Sequence, residues 1–536
     1  MARGPGTRPN ADADPTPDGA GGLMISEKPV LVIGATGYVG GRLVPLLLES
    51  GYRVRAMGRS LPKLASRSWA EHPLFEMVEG DVLDAASMQA AAQGCRAVFY
   101  LVHSMVAAGR DFAAADRTGA CNMVSAAAAA GMDRIIYLGG LAEAKHHRLS
   151  EHLQSRKEVA EILNAGSVPV TDLRAGAILG AGSASFEILR YTVERLPVML
   201  APRWVETLNQ PISIRNVLVY LKGCLETDAV LGQTFDIGGP DVLSYRRLAE
   251  IYAEEAGLPR RRIIPVPFVS PRFSAFLIHQ LTPVPADLAK PLIEGLRNES
   301  VCGDARIQDI ISQPIISCRE AIRTAIESVR ADRIASCWSD AGCLMPPEWT
   351  YCGDADYTGG TILECGYRMG VKAGADEVWA AVEGIGGDAG WHFGDRLWQL
   401  RGAVDGWIGG IGMRRGRRHP TRLRVGDALD FWRILEIDRG RRLLLAAEMK
   451  LPGEALFEIR VEPQEGETAI TFLSRFVPKG LGGLLYWYAL YPGHQWVFKG
   501  MLEGLARAVG TPVSSAPRRY TPKIPDTCPP PWGMGN

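Results

Sequence analysis

Residues 29–33, Pro-Val-Leu-Val-Ile, form a short apolar run of the kind a central parallel strand needs when helices cover both its faces. The run leads straight into Gly34-Ala35-Thr36-Gly37-Tyr38-Val39-Gly40, after which Val39, Leu43, Leu46 and Leu47 mark one face of a helix. Strand, glycine turn and helix in that order are the setting in which such a loop binds a dinucleotide. Gly34 permits the tight turn, Gly37 lets the backbone approach a pyrophosphate, and Gly40 lets the helix lie close to the strand. The unpaired N–H groups at the helix start then face the phosphates, with Thr36, Tyr38 and Val39 in the same stretch of contact. Pro45 removes one helix hydrogen bond, so a kink is expected there.

Strands and helices go on alternating. The pattern predicts strands at 53–57, 75–78, 97–101, 134–138, 168–173 and 234–237, and helices at 112–130, 152–163 and 245–256. The fold class is therefore α/β, a Rossmann-type doubly wound parallel sheet over residues 28–335, whose last part (259–335) completes the substrate side. Residues 336–364 read as a linker. From 365 to 510 the strands alternate in polarity, at 422–425, 429–436, 442–450, 454–461 and 469–476, with helices at 376–382 and 495–508. That is an α+β layout, one curved sheet gripping a long C-terminal helix. Residues 1–27 read as a disordered tail and 511–536 as a loose Pro-rich one, and Met24 is a second candidate start.

Lys and Arg total 59 and Asp and Glu total 59, so the basic excess that nucleic acid requires is missing. The local run Arg414-Arg415-Gly416-Arg417-Arg418-His419 reads as a solvated turn. The ten cysteines show no two-residue gap of the zinc or redox kind. They read as reduced thiols of a cytoplasmic protein, with no metal expected. No apolar block follows the early arginines as in a secretory signal, and no run approaches the ~20 residues that span a bilayer.

The end of the second strand bears on which dinucleotide binds. An NAD site usually places a carboxylate there, but this strand ends Met57-Gly58-Arg59-Ser60. A guanidinium bonds bidentately to a 2′-phosphate, so Arg59, with Ser60 and Arg42 assisting, points to NADP(H) rather than NAD. Asp81, followed by Val82 after the third strand, is placed to meet the adenine edge.

Residues 28 to about 258 resemble the atypical, extended short-chain dehydrogenase/reductase group, which includes NmrA-like proteins. The matching pieces are the glycine loop, Gly80-Asp81-Val82, Arg134-Ile-Ile-Tyr-Leu138, Leu173-Arg174-Ala175-Gly176 and Thr234-Phe-Asp-Ile-Gly-Gly-Pro240. The resemblance implies a Tyr-x-x-x-Lys pair on the helix after the fifth strand, the tyrosine exchanging a proton with the substrate during hydride transfer. The sequence departs from it. Lys157 can stand for the lysine, but Leu153 holds the tyrosine position, and Gly139-Gly140 replace the serine expected after the strand. His152 lies one residue off the tyrosine position and reads either as a proton donor or as an exposed helix histidine. His103 and Ser104 follow the fourth strand, at the edge where open sheets bind ligands. His103 and Lys157 are thus the candidate catalytic residues, and Arg174 with the loop to Gly182 should border the nicotinamide.

Residues 365–510 resemble the START-like, SRPBCC-type superfamily. The resemblance rests on Ala446-Ala-Glu-Met-Lys-Leu-Pro-Gly453 and on Tyr486-Trp-Tyr488 through Tyr491-Pro-Gly-His-Gln-Trp496. It implies an interior cavity for an apolar ligand. Trp391, Trp398, Trp432, Trp487 and Trp496 either line that cavity or fill a core, with Glu448 and His494 as polar points. The aromatic segment 486–491 is alternatively a peripheral membrane contact. Together these features predict an NADP(H)-dependent oxidoreductase acting on a hydrophobic small molecule. The rival is a non-catalytic NADP(H)-binding sensor or assembly factor. The Ala-rich helix 112–130 is compatible with a homodimer or with packing inside the domain.

Overall fold

The computed structural model describes residues 27–103, 112–141, 149–266, 282, 284, 286–331, 334–341, 362–413, 416–419 and 421–521. Both predicted tails fall largely outside these residues, as do Ser104 and most of the predicted linker.

The first domain is built on β1 (Val30–Ile33), β2 (Val54–Gly58), β3 (Phe75–Glu79), β4 (Ala97–Tyr100), β5 (Arg134–Gly140) and β6 (Val170–Ala175). Between them run α1 (Gly40–Glu49), α2 (Leu61–Ala65), α3 (Ala85–Ala92), α4 (Phe112–Ala130) and α5 (Glu151–Asn164). Short strands β7 (Ile178–Leu179), β8 (Val198–Pro202), β9 (Leu208–Asn209) and β10 (Ile212–Ser213) precede β11 (Thr234–Ile237); β12 (Leu243–Ser244) and β13 (Arg262–Val266) follow it. The parallel sheet has the order β11-β6-β5-β4-β1-β2-β3, so strand order reverses between β1 and β4. That reversal opens a crevice at the carboxyl ends of these two strands, where doubly wound sheets bind ligands. β1 and β4 are buried at every residue, as the unbroken apolar runs require. α1 runs through Pro45 without a break. The small residues of α4 (Gly119, Ala120, Ala126, Ala127) are buried, and the helix packs between α3 and α5. They serve contacts inside the domain, which removes the argument they gave for a dimer.

The second domain carries β14 (Leu363–Val371), β15 (Ala428–Leu429), β16 (Trp432–Asp438), β17 (Arg442–Ala447), β18 (Gly453–Gln464), β19 (Glu467–Pro478) and β20 (Val513–Arg519). They form one sheet in the order β15-β16-β17-β18-β19-β14-β20, antiparallel throughout. A helix over Gly480–Val509 lies on β14 and β19. Several expectations change here. The strand foreseen at 422–425 is irregular chain. That at 429–436 is two strands, because Asp430 takes a left-handed φ of 54° and turns the chain between them. The C-terminal helix starts at Gly480, not near 495, and continues through Pro492. Residues 513–519 of the supposed tail are an edge strand paired with β14.

Of the basic run, Arg414 and Arg415 lie outside the described residues, and Arg417 and Arg418 are bonded to the protein and not solvated. Arg417 donates to the carbonyl oxygens of Glu383, Ile385 and His419. Arg418 pairs bidentately with Asp427, both bonds 2.9 Å, and reaches Ile334 O at 3.3 Å. Residues 336–341 of the predicted linker are docked as well. Asp340 is buried against Arg67 at 3.2 Å, and its carbonyl accepts from Lys63 at 2.5 Å.

Candidate functional site: a glycine crevice and an apolar cavity

Gly34 ends β1 with φ +86°, and a Cβ there would lie 2.8 Å from the carbonyl oxygen of Leu101, just past β4. A Cβ on Gly40 would lie 2.2 Å from Gly34 O. Strand, turn and helix thus close on one another as only glycine permits. Gly37 N donates to Gly34 O at 2.9 Å to form the turn. Val39 is the N-cap of α1 and no side chain caps the helix; Gly41 N and Arg42 N are bonded to Gly37 O and Val39 O, so among the described residues the N–H groups of Tyr38, Val39 and Gly40 are those left for an anion. The loop is held from behind. Arg67 donates to Thr36 O at 3.4 Å and Ser336 Oγ to Tyr38 O at 2.6 Å. The Tyr38 ring lies under Arg42, 4.8 Å from its guanidinium carbon. Arg42 is committed to the carbonyls of Ala181 and Ser336, so it ties the loop to the linker and does not assist at a phosphate.

Arg59 is exposed just past β2, and no described residue pairs with it. Ser60 is the N-cap of α2, and its hydroxyl makes no capping bond. Asp81 accepts from Leu83 N at 3.0 Å, and Val82 O accepts from Asn122 at 2.8 Å, so both shape the turn after β3. An uncapped helix start, a Cβ-free cradle and an unpaired guanidinium at the second strand fit a phosphorylated dinucleotide. Arg174 stands on β6 and is held by Asp236 of the neighbouring strand at 2.6 Å.

The candidate catalytic residues separate. His103 is buried beside the crevice, two residues beyond Leu101. Its Nε2 lies 2.6 Å from His152 Nδ1, and the rings stack with centroids 4.6 Å apart. Its Nδ1 lies 3.1 Å from Asp116 Oδ2, which also accepts from Ser155 Oγ at 2.9 Å. Burial holds both histidines below the usual imidazole range; Asp116 opposes this at His103, and the neighbouring ring and Arg156 reinforce it at His152. His152 is therefore not an exposed helix histidine. The Lys157 side chain is 66% exposed and faces Glu161 at 3.8 Å. The inward cation of α5 is Arg156, whose stem packs on Gly140 at the end of β5. Asp116, Ser155 and Arg156 were missed. The buried face His152, Ser155, Val159, Leu163, spaced as one side of a helix, is the signal that would have found two of the cluster's members.

The second domain holds a cavity of about 420 Å³ between the sheet and two helices, Asp395–Trp407 and Gly480–Val509. Trp391, Trp398, Trp432 and Trp487 line it; Trp496 does not, being 58% exposed with its ring against Phe393. Glu448 does not line it either, because Arg433 holds it at 3.0 Å. His494 does, with its Nδ1 buried and unbonded among the described residues. Burial pushes that imidazole down to about 4, so it is neutral at pH 7.

Comparison with known proteins agrees with the crevice. Residues 34–190 match the family model described as NAD(P)H-binding. That match lies wholly within the first domain and covers the glycine loop, β2 to β6 and α1 to α5. Residues 358–501 match a family described as a protein of unknown function, DUF2867. Cinnamoyl-CoA reductase 1 of Oryza sativa subsp. japonica is 36% identical over 112 residues, 20% of this chain and 33% of that protein. The 3 beta-hydroxysteroid dehydrogenase/Delta 5-->4-isomerase of Mycobacterium tuberculosis is 33% identical over 118 residues, 20% of this chain and 30% of that one. The match thus spans about a third of the length of these curated relatives. Among solved structures, the Citrobacter sp. triphenylmethane reductase complexed with NADP(H) is 20% identical, with 55% of this chain and 99% of that one covered at TM-score 0.45. An NADPH-dependent quinone oxidoreductase of Escherichia coli is 18% identical, with 55% and 98% covered at TM-score 0.45. No described helix is long and apolar enough to cross a membrane.

Proposed function

We propose that the chain is an NADP(H)-dependent oxidoreductase acting on a hydrophobic small molecule, with a START-like second domain that holds or delivers that molecule. The observation that carries the cofactor choice is Arg59, exposed and unpaired beside the glycine loop, where an NAD site would present a carboxylate. The cavity supports the substrate class. Its walls are aromatic and aliphatic, and His494 offers a bare acceptor nitrogen that would orient a ligand's hydroxyl or N–H group. The 33–36% identical relatives carry names of reductases and dehydrogenases, which is in keeping with this chemistry. Leu481, Leu485 and Tyr488, exposed on the cavity's long helix, favour peripheral membrane contact as the route by which an apolar ligand arrives.

The test is to titrate NADPH and NADH into the full-length protein, then follow nicotinamide absorbance with a panel of quinones and aromatic carbonyl compounds. Preferential binding of NADPH with turnover of a panel member is the expected result. Tight NADPH binding without turnover moves the reading to the NADP(H)-binding sensor, and preferential binding of NADH refutes the cofactor assignment.

A further inference from the structure

The domain lacks the tyrosine that its relatives use as proton donor, yet four polar side chains from three elements converge beside its crevice. We propose that Asp116, His103 and His152 form a proton relay whose delivering atom is Nε2 of His152; the proposal rests on the reading of this domain as a working reductase.

The direction of the relay follows from hydrogen-bond chemistry. A carboxylate only accepts, so the 3.1 Å contact of Asp116 Oδ2 with Nδ1 of His103, an ion-pair contact off the hydrogen-bond axis, favours a hydrogen on that nitrogen. That leaves Nε2 of His103 an acceptor, and the hydrogen in the 2.6 Å contact between the rings then sits on Nδ1 of His152. Nε2 of His152 is the open end, bonded to no described residue. Ser155 donates its hydroxyl to the same Asp116 oxygen, which holds the carboxylate in place. The location is set by neighbours on both sides. Leu101, two residues before His103, closes on Gly34 of the dinucleotide loop, and Arg156, one turn after His152, packs on Gly140 at the end of β5. The open nitrogen thus belongs to the carboxyl edge next to the strand reversal.

In the reductive direction, a bound reduced nicotinamide would supply the hydride, with its electron pair, to the substrate's carbonyl carbon. The C=O π pair moves onto oxygen, and that oxygen takes the Nε2 proton of the imidazolium form of His152, the form that gains ground as the pH falls, while the Nδ1 hydrogen stays in the contact with His103. The carbonyl is reduced, the nicotinamide oxidised, and His152 is left neutral until water returns a proton. The charged groups facing the pair are Asp116 on α4 and Arg156 on α5, and beside these lie the phenols of Tyr100 and Tyr137 on β4 and β5. Burial holds both phenols protonated at neutral pH, so only Asp116 and Arg156 add charge. Burial and Arg156 keep His152 neutral at pH 7, so reduction accelerates as the pH falls, and alcohol oxidation finds its base ready-made.

The test uses full-length protein with 15N-labelled histidine. Nicotinamide fluorescence reports NADPH binding, and nitrogen resonances report the tautomers. The expected result is hydrogen on Nδ1 of both rings, with NADPH moving the Nε2 resonance of His152. Asp116→Asn releases the His103 tautomer while NADPH affinity stays within about twofold. In turnover, His152→Asn and His152→Gln lower kcat by about 10²–10³-fold. Both leave KM for NADPH unchanged and flatten the acid side of the pH profile. Asp116→Asn and His103→Asn, being positioning changes, shift that limb. NADPH binding with an unmoved His152 nitrogen, or His152 variants with a wild-type pH profile, overturns the relay alone. Failure of NADPH to bind overturns the reductase reading and the relay with it.

Discussion

Each domain buries histidine, but in opposite company. His103 and His152 sit in a polar chain that ends on a carboxylate and is flanked by a guanidinium. His494 sits among rings, stacked on Phe498 with centroids 5.8 Å apart and beside Trp487, with burial alone lowering its proton affinity. The same residue type therefore serves different ends. A histidine wired to a carboxylate has a defined tautomer and a path for charge, which suits proton transfer. A histidine in an aromatic wall has neither, and its use is a neutral hydrogen-bonding point for a ligand. The comparison breaks if a change in one domain alters the signature assigned to the other.

The largest expected effect is in the aromatic wall. Trp391 is buried against Phe431, Trp432 and Phe457, and its Nε1 donates to Asp430 at 2.9 Å. Trp391→Ala removes that packing and strips the Asp430 carboxylate of a donor, a loss of about 3–5 kcal/mol. Urea unfolding followed by tryptophan emission should show an earlier transition of the second domain, with NADPH affinity unchanged. A parallel fall in NADPH affinity would show that the cavity and the crevice are not separable.

The next effect is on acid stability. The folded value of His494 lies near 4, below the ordinary imidazole value of 6.5. The unfolded chain therefore takes up the proton first. Stability is complete above about pH 6.5 and is lost as the pH falls towards 4, by up to about 3 kcal/mol for this one group. His494→Phe keeps the stacking and removes the titration. Its stability should fall less than that of the wild type between pH 7 and pH 4.5, measured by denaturant midpoint. Equal losses in both would place the acid sensitivity in the polar chain of the first domain instead.

How far these two environments were legible in the sequence differs for a physical reason. The parallel strands β1 and β4 are buried on both faces, so their apolar runs announced them, and the crevice followed from the glycines between strand and helix. The fold of the second domain was harder to read. Asp430 splits an apparently continuous strand with a left-handed turn that no periodicity marks. The aromatic stretch from residue 480 to 494 gave no sign of being helix, because glycines and Pro492 interrupt it. In α5 the motif spacing pointed to Lys157, whereas the helical face points to His152 and Ser155, seven and four residues before Val159 on the buried side. Asp116 was unreadable for another reason: its meaning depends on His103, which follows a different strand.

At the crevice, Arg59→Ala should weaken NADPH binding by about 10–100-fold, the value of a charge-assisted contact to one phosphate. NADH binding should be unchanged, since NADH lacks the 2′-phosphate and Arg59 pairs with no described residue. Equal weakening of both cofactors would assign Arg59 a general electrostatic role and leave the choice between them unexplained.

The smallest effect sharpens the assignment within α5. Lys157 makes one exposed contact to Glu161, and exposed pairs of that kind are worth less than about 0.5 kcal/mol. Its order along the helix, lysine before glutamate, is also the less favourable one for the helix dipole. Lys157→Ala should therefore leave stability, NADPH affinity and any turnover within about twofold of the wild type. Arg156→Gln, one residue earlier but on the inward face, removes the cation that reinforces the neutral state of His152. The titration of His152 should then move upward, which histidine resonances followed against pH would report. If Lys157→Ala abolished turnover while Arg156→Gln left His152 unmoved, the motif spacing and not the helical face would mark the working side of α5, and the contrast between the two buried histidine environments would lose its functional half.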